Sequence, residues 1–461
     1  MKKIFFILFS IALFTGCERK VNEFSPSANG VDFSKFVAVG NSMVGGFSDA
    51  ALYLSGQQNS IPNIMATQFQ TVGGGSFSQP LIGTENGVGF NVTPGGLYFN
   101  TKMVLKIVPD KDCAGDPTGT ASLKPAYAVE NPDQGELQQQ LFAPPTVAGP
   151  YNNMGVPGLT LQAAFMPGYA AYNPFYARFA SSAATSSVIV EAASQQSTFF
   201  LVWLGDNDVL TSAMAGTDAL MTPVDTFAKY YPMATGALIA SGKNPKGVVA
   251  TIPDITSIPF FTTISKQLPW NGVTLTEEQA IGLNQLYTIY GHGDIIWKEG
   301  QNPFVYIRND GAWVQMEAGD LFLLTLPTDS IKCRGMGIAD PVALKPYPIN
   351  GKYVLSVAEQ NNIKTRVDLF NEIIENTATE QNLALADMNA YLKLFASGMI
   401  FDGIKLSTTF VTGGLFSTDG IHLNPRGSSM AANYLIQAIN SKYGSNIPQA
   451  NMTNYPGLVF P

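Results

Sequence analysis

The sequence predicts an α/β protein built around a parallel sheet, and three observations carry that reading. Apolar runs at 36–39, 198–204 and 248–252 are short, continuous and rich in β-branched and aromatic residues, as in strands buried on both faces. Between the second and third, Phe227, Tyr231, Ala234 and Leu238 recur on one helical face, which makes a strand–helix–strand crossover. Near the end, Ile363, Val367, Phe370 and Ile374 share a second helix face ahead of a strand at 383–386, and Ala431, Leu435 and Ile439 mark a last helix.

Taken in order, the chain opens with the basic Met1-Lys2-Lys3 and an apolar run over 4–14, and Thr15-Gly16-Cys17 closes it. The run is too short to span a bilayer and has the form of a secretory signal. Ending on Gly16-Cys17, it resembles a bacterial lipoprotein signal, with Phe14 where that signal usually has Leu. The resemblance implies that residues 1–17 are the signal segment, that Cys17 carries the lipid, and that the protein is anchored in the bacterial cell envelope. Residues 18–35 are polar and aperiodic and predict a tether. No later apolar stretch approaches the length of a membrane span.

The folded body is expected over 36–461. After the strand at 36–39, Gly40-Asn41-Ser42 forms a turn that lifts the Ser42 hydroxyl above the sheet edge. A helix is expected over 50–69, with Ile61, Met65 and Phe69 on one face. From about 73 to 150 the pattern breaks at Gly73-Gly74-Gly75, Pro94-Gly95-Gly96 and Pro144-Pro145, with one strong strand at 97–108, and reads as an insertion. Asn153-Met154-Gly155-Val156-Pro157-Gly158 follows. The run at 198–204 leads into Gly205-Asp206-Asn207-Asp208, and Pro232 is expected to kink the next helix. A second insertion is expected from about 261 to 352. It holds a helix at 276–287 and a hairpin around Asn309-Asp310-Gly311. Asp419-Gly420-Ile421-His422 comes next, then Asn424 as a helix cap with Pro425 at the first helical position.

Four of these segments, in this order, resemble the blocks of the GDSL, or SGNH, hydrolases. They are Gly40-Asn41-Ser42-Met43, Asn153 to Gly158, Gly205 to Asp208, and Asp419 to His422. The first departs from the usual G-D-S-L: Asn41 accepts a hydrogen bond but carries no charge. The resemblance implies a three-layer α/β/α sandwich on a mostly parallel, flavodoxin-like sheet of five strands, bearing the two insertions. It also implies a serine ester hydrolase with Ser42 as nucleophile, His422 as base and Asp419 as the orienting acid. Ser42, Gly158 and Asn207 would form the oxyanion hole, and no cofactor is implied.

The residue chemistry agrees. Serine attacks only when a base removes its proton, and the chain has two histidines. His292 lies in Gly291-His292-Gly293, within the second insertion, and reads as a loop residue; His422 is the expected base. Small-molecule, lipid and acylated-glycan esters all remain open as substrates. So do a binding lipoprotein that has lost turnover and a glycan acyltransferase.

Composition narrows the partners. Lys and Arg number 26 against 34 Asp and Glu, and a net charge of −8 argues against nucleic acid, which needs clustered cations. No metal site is expected, because the histidines are unpaired and the cysteines lie far apart. Outside the cytoplasm, Cys113 and Cys333 either pair, stapling the two insertions, or stay as two free thiols.

Overall fold

The computed structural model describes residues 24–93 and 96–461; the signal segment and Cys17 lie outside the described residues. Five strands form the central sheet: β1 (Phe36–Gly40), β2 (Asn153–Gly155), β3 (Phe199–Trp203), β4 (Lys246–Ala250) and β5 (Ala384–Ala386). They lie in the order β5-β4-β3-β1-β2, and every neighbouring pair is parallel.

Register and pleat explain why these runs are apolar throughout. Ala38 pairs with Leu201, Leu201 with Val248 and Val248 with Ala384, which makes one continuous row on one face. Helices α2 (Ile61–Gln70) and α7 (Pro425–Tyr443) cover that face with Met65, Phe69, Leu435 and Ile439. The next residue along each strand points the other way. Val39, Val202 and Val249 meet α3 (Val188–Ser194), α5 (Val224–Ser241) and α6 (Val357–Glu380), where Phe227 and Phe370 stack with ring centroids 3.9 Å apart. Helix α5 runs through Pro232.

The order reverses at β1, whose neighbours β2 and β3 are entered in opposite directions. In open parallel sheets the crevice at such a point, beyond the carboxyl ends of the strands, receives ligands. Short α1 (Ser42–Gly45) follows β1 there, and α4 (Asn207–Met214) follows β3.

Three local expectations change. The helix expected over 50–69 divides into Leu54–Gln58 and α2, because Pro62 sits in the first turn of α2 and its ring fits only a helix start. The strand expected at 97–108 is two. Gly96–Asn100 pairs back on Gly89–Thr93, and Met103–Lys111 pairs with Pro117–Tyr127. The described part of the expected tether, 24–35, is packed rather than free. Val31 and Phe33 are buried, Phe33 stacks on Phe69 at 4.4 Å, and Ser27 exchanges backbone hydrogen bonds with Asn446. Two apolar side chains in a polar stretch suffice to dock it.

Beyond the sheet, residues 73–150 carry the two hairpins and a helix (Gln134–Phe142). Residues 261–352 build a cluster of their own around Tyr287, Trp297, Phe304 and Phe322, and include the expected hairpin, Val305–Ile307 against Trp313–Gln315. Cys113 and Cys333, 220 residues apart, are disulfide-bonded and join these two segments.

Candidate active site

Gly40 ends β1 because nothing larger fits. A Cβ there would lie 2.3 Å from Val44 Cγ2 and 2.7 Å from the Trp203 carbonyl oxygen. The chain then turns into α1 with Asn41 as its cap, the Asn41 Oδ1 accepting from the Met43 N–H at 2.9 Å. Ser42 is thereby placed first in a helix, just past the sheet edge.

His422 reaches it from the other end of the chain. Its Nε2 lies 2.9 Å from Ser42 Oγ, and its Nδ1 lies 2.8 Å from Asp419 Oδ2. The Asp419 carboxylate is itself fixed. Oδ1 accepts from Ser417 Oγ at 2.9 Å and from the N–H groups of Ile421 and His422 at 2.8 and 2.9 Å, while Oδ2 accepts from the Ala50 N–H at 2.8 Å. Burial opposes the charge of Asp419. The neighbouring imidazole and the backbone donors outweigh it and hold the carboxyl at about 2. An ionised Asp419 accepts from Nδ1–H, which leaves Nε2 as the acceptor facing the Ser42 hydroxyl.

The Ala50 donor was not legible in the sequence. Asp49 and Ala50 both take left-handed backbone angles, φ 53° and 61°. Such angles cost a non-glycine residue on the order of 1–3 kcal/mol and persist where the surroundings demand them. Here the turn aims the Ala50 N–H at Asp419 and sets Asp49 Oδ1 2.7 Å from Thr418 Oγ1. Asp49 also accepts from Tyr53 Oη at 2.7 Å, and burial pushes its carboxyl up. The only sequence signal was a polar Ser48-Asp49 pair ahead of a helical pattern.

Asn207 opens α4 and is buried. One of its amide hydrogens goes to the Leu159 carbonyl at 3.0 Å, and next to it Asp208 Oδ2 accepts from the Leu161 N–H at 2.9 Å. Both bonds tie the turn after β3 to the loop after β2, where Gly158 sits. Gly158 takes φ 79° in a turn closed by Leu159 N–H to Val156 O, and the Asn173 amide holds the Pro157 carbonyl at 2.8 Å. Gly155 has another role: a Cβ there would come 2.2 Å from the Gly45 nitrogen, so β2 approaches α1 closely.

A second pairing was also hidden in the sequence. Asn41 Nδ2 donates to Asp206 Oδ2 at 2.5 Å, with both residues buried. Burial pushes the Asp206 carboxyl up to about 6, against the pull of the Asn41 amide toward the charged form. Asp208 is likewise raised to about 6 by burial, with Leu161 N–H and the Thr222 hydroxyl acting the other way.

Ser42, Asn207 and His422 line one cavity of about 100 Å³ whose other walls are mostly apolar, among them Trp203, Met388, Phe395 and Met430. Gly158 is exposed on the adjoining turn and does not line this cavity; its neighbour Leu159 accepts from the Asn207 amide. His292 lies apart, stacked on Trp313 at 3.8 Å. The Cys113–Cys333 bridge contributes nothing to the cavity wall. Among the described residues there is no cluster of His, Cys, Asp and Glu suited to a metal ion, and no helix long and apolar enough to cross a membrane.

No protein-family model matches the chain, and no curated protein is similar to it.

Proposed function

We propose that this chain is a serine carboxylic ester hydrolase of the GDSL/SGNH kind. The observation that carries the reading is the hydrogen-bonded series Ser42–His422–Asp419, at 2.9 and 2.8 Å, at the crevice of a parallel sheet. Ser42 Oγ attacks the ester carbonyl carbon while Nε2 takes its proton, and the charged Asp419 stabilises the imidazolium. The imidazolium then protonates the departing alkoxide. Water repeats the sequence on the acyl-serine, releasing the acid and restoring Ser42.

In this reading three donors serve the oxyanion, of which Ser42 and Asn207 line the cavity and Gly158 does not. As the first residue of α1, Ser42 has an N–H with no carbonyl to meet within the helix. Asn207 keeps one amide hydrogen beyond the one given to Leu159, and the Gly158 N–H is carried on the loop that Asn207 holds. Asn207→Ala is therefore expected to lower kcat by about 10²- to 10³-fold with little change in KM. Circular dichroism should match the parent, and a normal kcat would remove Asn207 from this role.

In this reading the sheet and its helices form the three-layer sandwich of that family, and 73–150 and 261–352 are insertions beside the site. Cys17 would carry a lipid that holds the enzyme at the cell envelope. Hydrolysis of p-nitrophenyl acetate by the purified protein, lost in Ser42→Ala, together with fluorophosphonate labelling of Ser42, tests the proposal. No turnover and no labelling would leave a binding protein.

A further inference from the structure

The walls of the cavity beside Ser42 narrow the choice of ester. Its lining holds one carboxylate, Asp206, one imidazole, His422, and one phenol, Tyr391, and there is no Lys or Arg. Near Ser42 it is polar, with Asn41, Asp206 and Asn207; away from Ser42 it is walled by Met388, Leu392, Phe395, Leu415 and Met430. All of these except Leu392 are buried, so they form the floor of a half-open apolar recess. A sugar needs hydrogen-bonding partners along its length, and the apolar walls offer only the Tyr391 hydroxyl, which already donates to the Met430 carbonyl at 3.3 Å. A carboxylate, sulfate or phosphate would meet Asp206 and no cation. What such a space takes from water is an uncharged hydrocarbon.

From this we infer that the cavity is the acyl-chain site of the enzyme, and that it selects short aliphatic acyl groups of roughly four to six carbons. An apolar cavity of ~150 Å³ accepts benzene, so one of about 100 Å³ holds a shorter chain than a fatty acid's. The acyl group, rather than the alcohol, belongs there for a mechanistic reason. The alcohol must leave before water can enter for the second step, whereas the acyl group stays bound to Ser42 throughout. An apolar recess beside Ser42 suits the part that stays. The inference rests on the reading of Ser42 as the group acylated.

The test is a series of p-nitrophenyl esters from acetate to dodecanoate, set against a series of acetate esters of lengthening alcohols. Burial of each methylene predicts a rise in kcat/KM on the order of tenfold from acetate to butanoate, then a fall beyond hexanoate. Lengthening the alcohol should change kcat/KM much less. A succinyl half-ester, with its terminal carboxylate, should react at least tenfold more slowly than butanoate. Leu392→Trp, at a half-buried position, should reverse the butanoate-to-acetate ratio, and Phe395→Ala should move the optimum to longer chains. Ser42-dependent turnover with a flat acyl profile, or dependence on alcohol length instead, would overturn the inference and leave the hydrolase standing. If no ester turns over, the hydrolase reading falls, and calorimetry with hexan-1-ol decides the pocket: binding lost in Leu392→Trp supports it, and no binding refutes it.

Discussion

Replacing His422 with alanine is expected to lower kcat on p-nitrophenyl butanoate by about 10⁴- to 10⁶-fold, the largest loss any single change outside Ser42 should cause. The geometry gives the reason. His422 Nε2 is 2.9 Å from Ser42 Oγ, and His292, the only other histidine, is stacked on Trp313 in a different segment. His292→Ala should therefore stay within about twofold of the parent, since surface changes away from a site rarely matter. The pH profile adds an independent check. Asp419 is held at about 2, so it stays charged over any working range and contributes no limb above that. A fall in rate on the acid side therefore does not come from Asp419. The same depressed carboxyl also has a stability consequence, and it runs in the same direction. Its contribution is fully present above the ordinary carboxylate pKa of about 3.9 and is lost as pH falls toward 2. Measured kcat for both variants from pH 4 to 9 checks the assignment; the reverse ranking would make His292 the base.

What the sequence conveyed and what it hid divide along a physical line. Strands buried on both faces are continuous apolar runs, so β1, β3 and β4 were visible, as was the helix face of Ile363, Val367, Phe370 and Ile374. Asn424 and Pro425 were readable as a helix start because a cap is a local device, and Asn424 Oδ1 does accept from the Gly427 N–H. Asp419 and His422 lie three residues apart, so their contact is local as well. The hidden features are those in which distant segments meet, or in which the backbone adopts an angle its residue disfavours. The left-handed Asp49-Ala50 turn is stabilised by Thr418 and Asp419 from the far end of the chain, and nothing in its own residue types announces it. Residues 24–35 were read as polar, yet two apolar side chains, Val31 and Phe33, docked them. The Cys113–Cys333 bond closes 220 residues, a distance over which spacing says nothing about pairing.

The Asn41–Asp206 contact belongs to the same class, and it gives position 41 a reason to be an amide rather than a carboxylate. An aspartate at position 41 would face Asp206 where the Asn41 amide now donates at 2.5 Å. Two buried carboxyls at that separation cannot both ionise, so they would share a proton and the pair's apparent pKa would rise. Asn41→Asp should therefore destabilise the protein by about 3–5 kcal/mol at pH 8, the range expected when a buried charge is left without a partner. The sign with pH follows from linkage. A raised folded-state pKa means that the folded protein holds a proton the unfolded chain releases, so stability falls as pH rises from about 4 through the pair's pKa. The penalty should shrink at pH 5. Activity should fall with stability, because Asn41 also caps the helix that begins at Ser42. Asp206→Asn alone removes the raised carboxyl and should cost less. The double variant, Asn41→Asp with Asp206→Asn, restores one carboxylate and one amide across the same contact in mirror image, and it should recover most of the lost stability and kcat. Denaturant unfolding of the two single variants and the double at pH 5 and pH 8 measures the coupling. Additive losses in the double variant, with no dependence on pH, would show that residues 41 and 206 act separately and that the Asp206 contact is not what makes position 41 an amide.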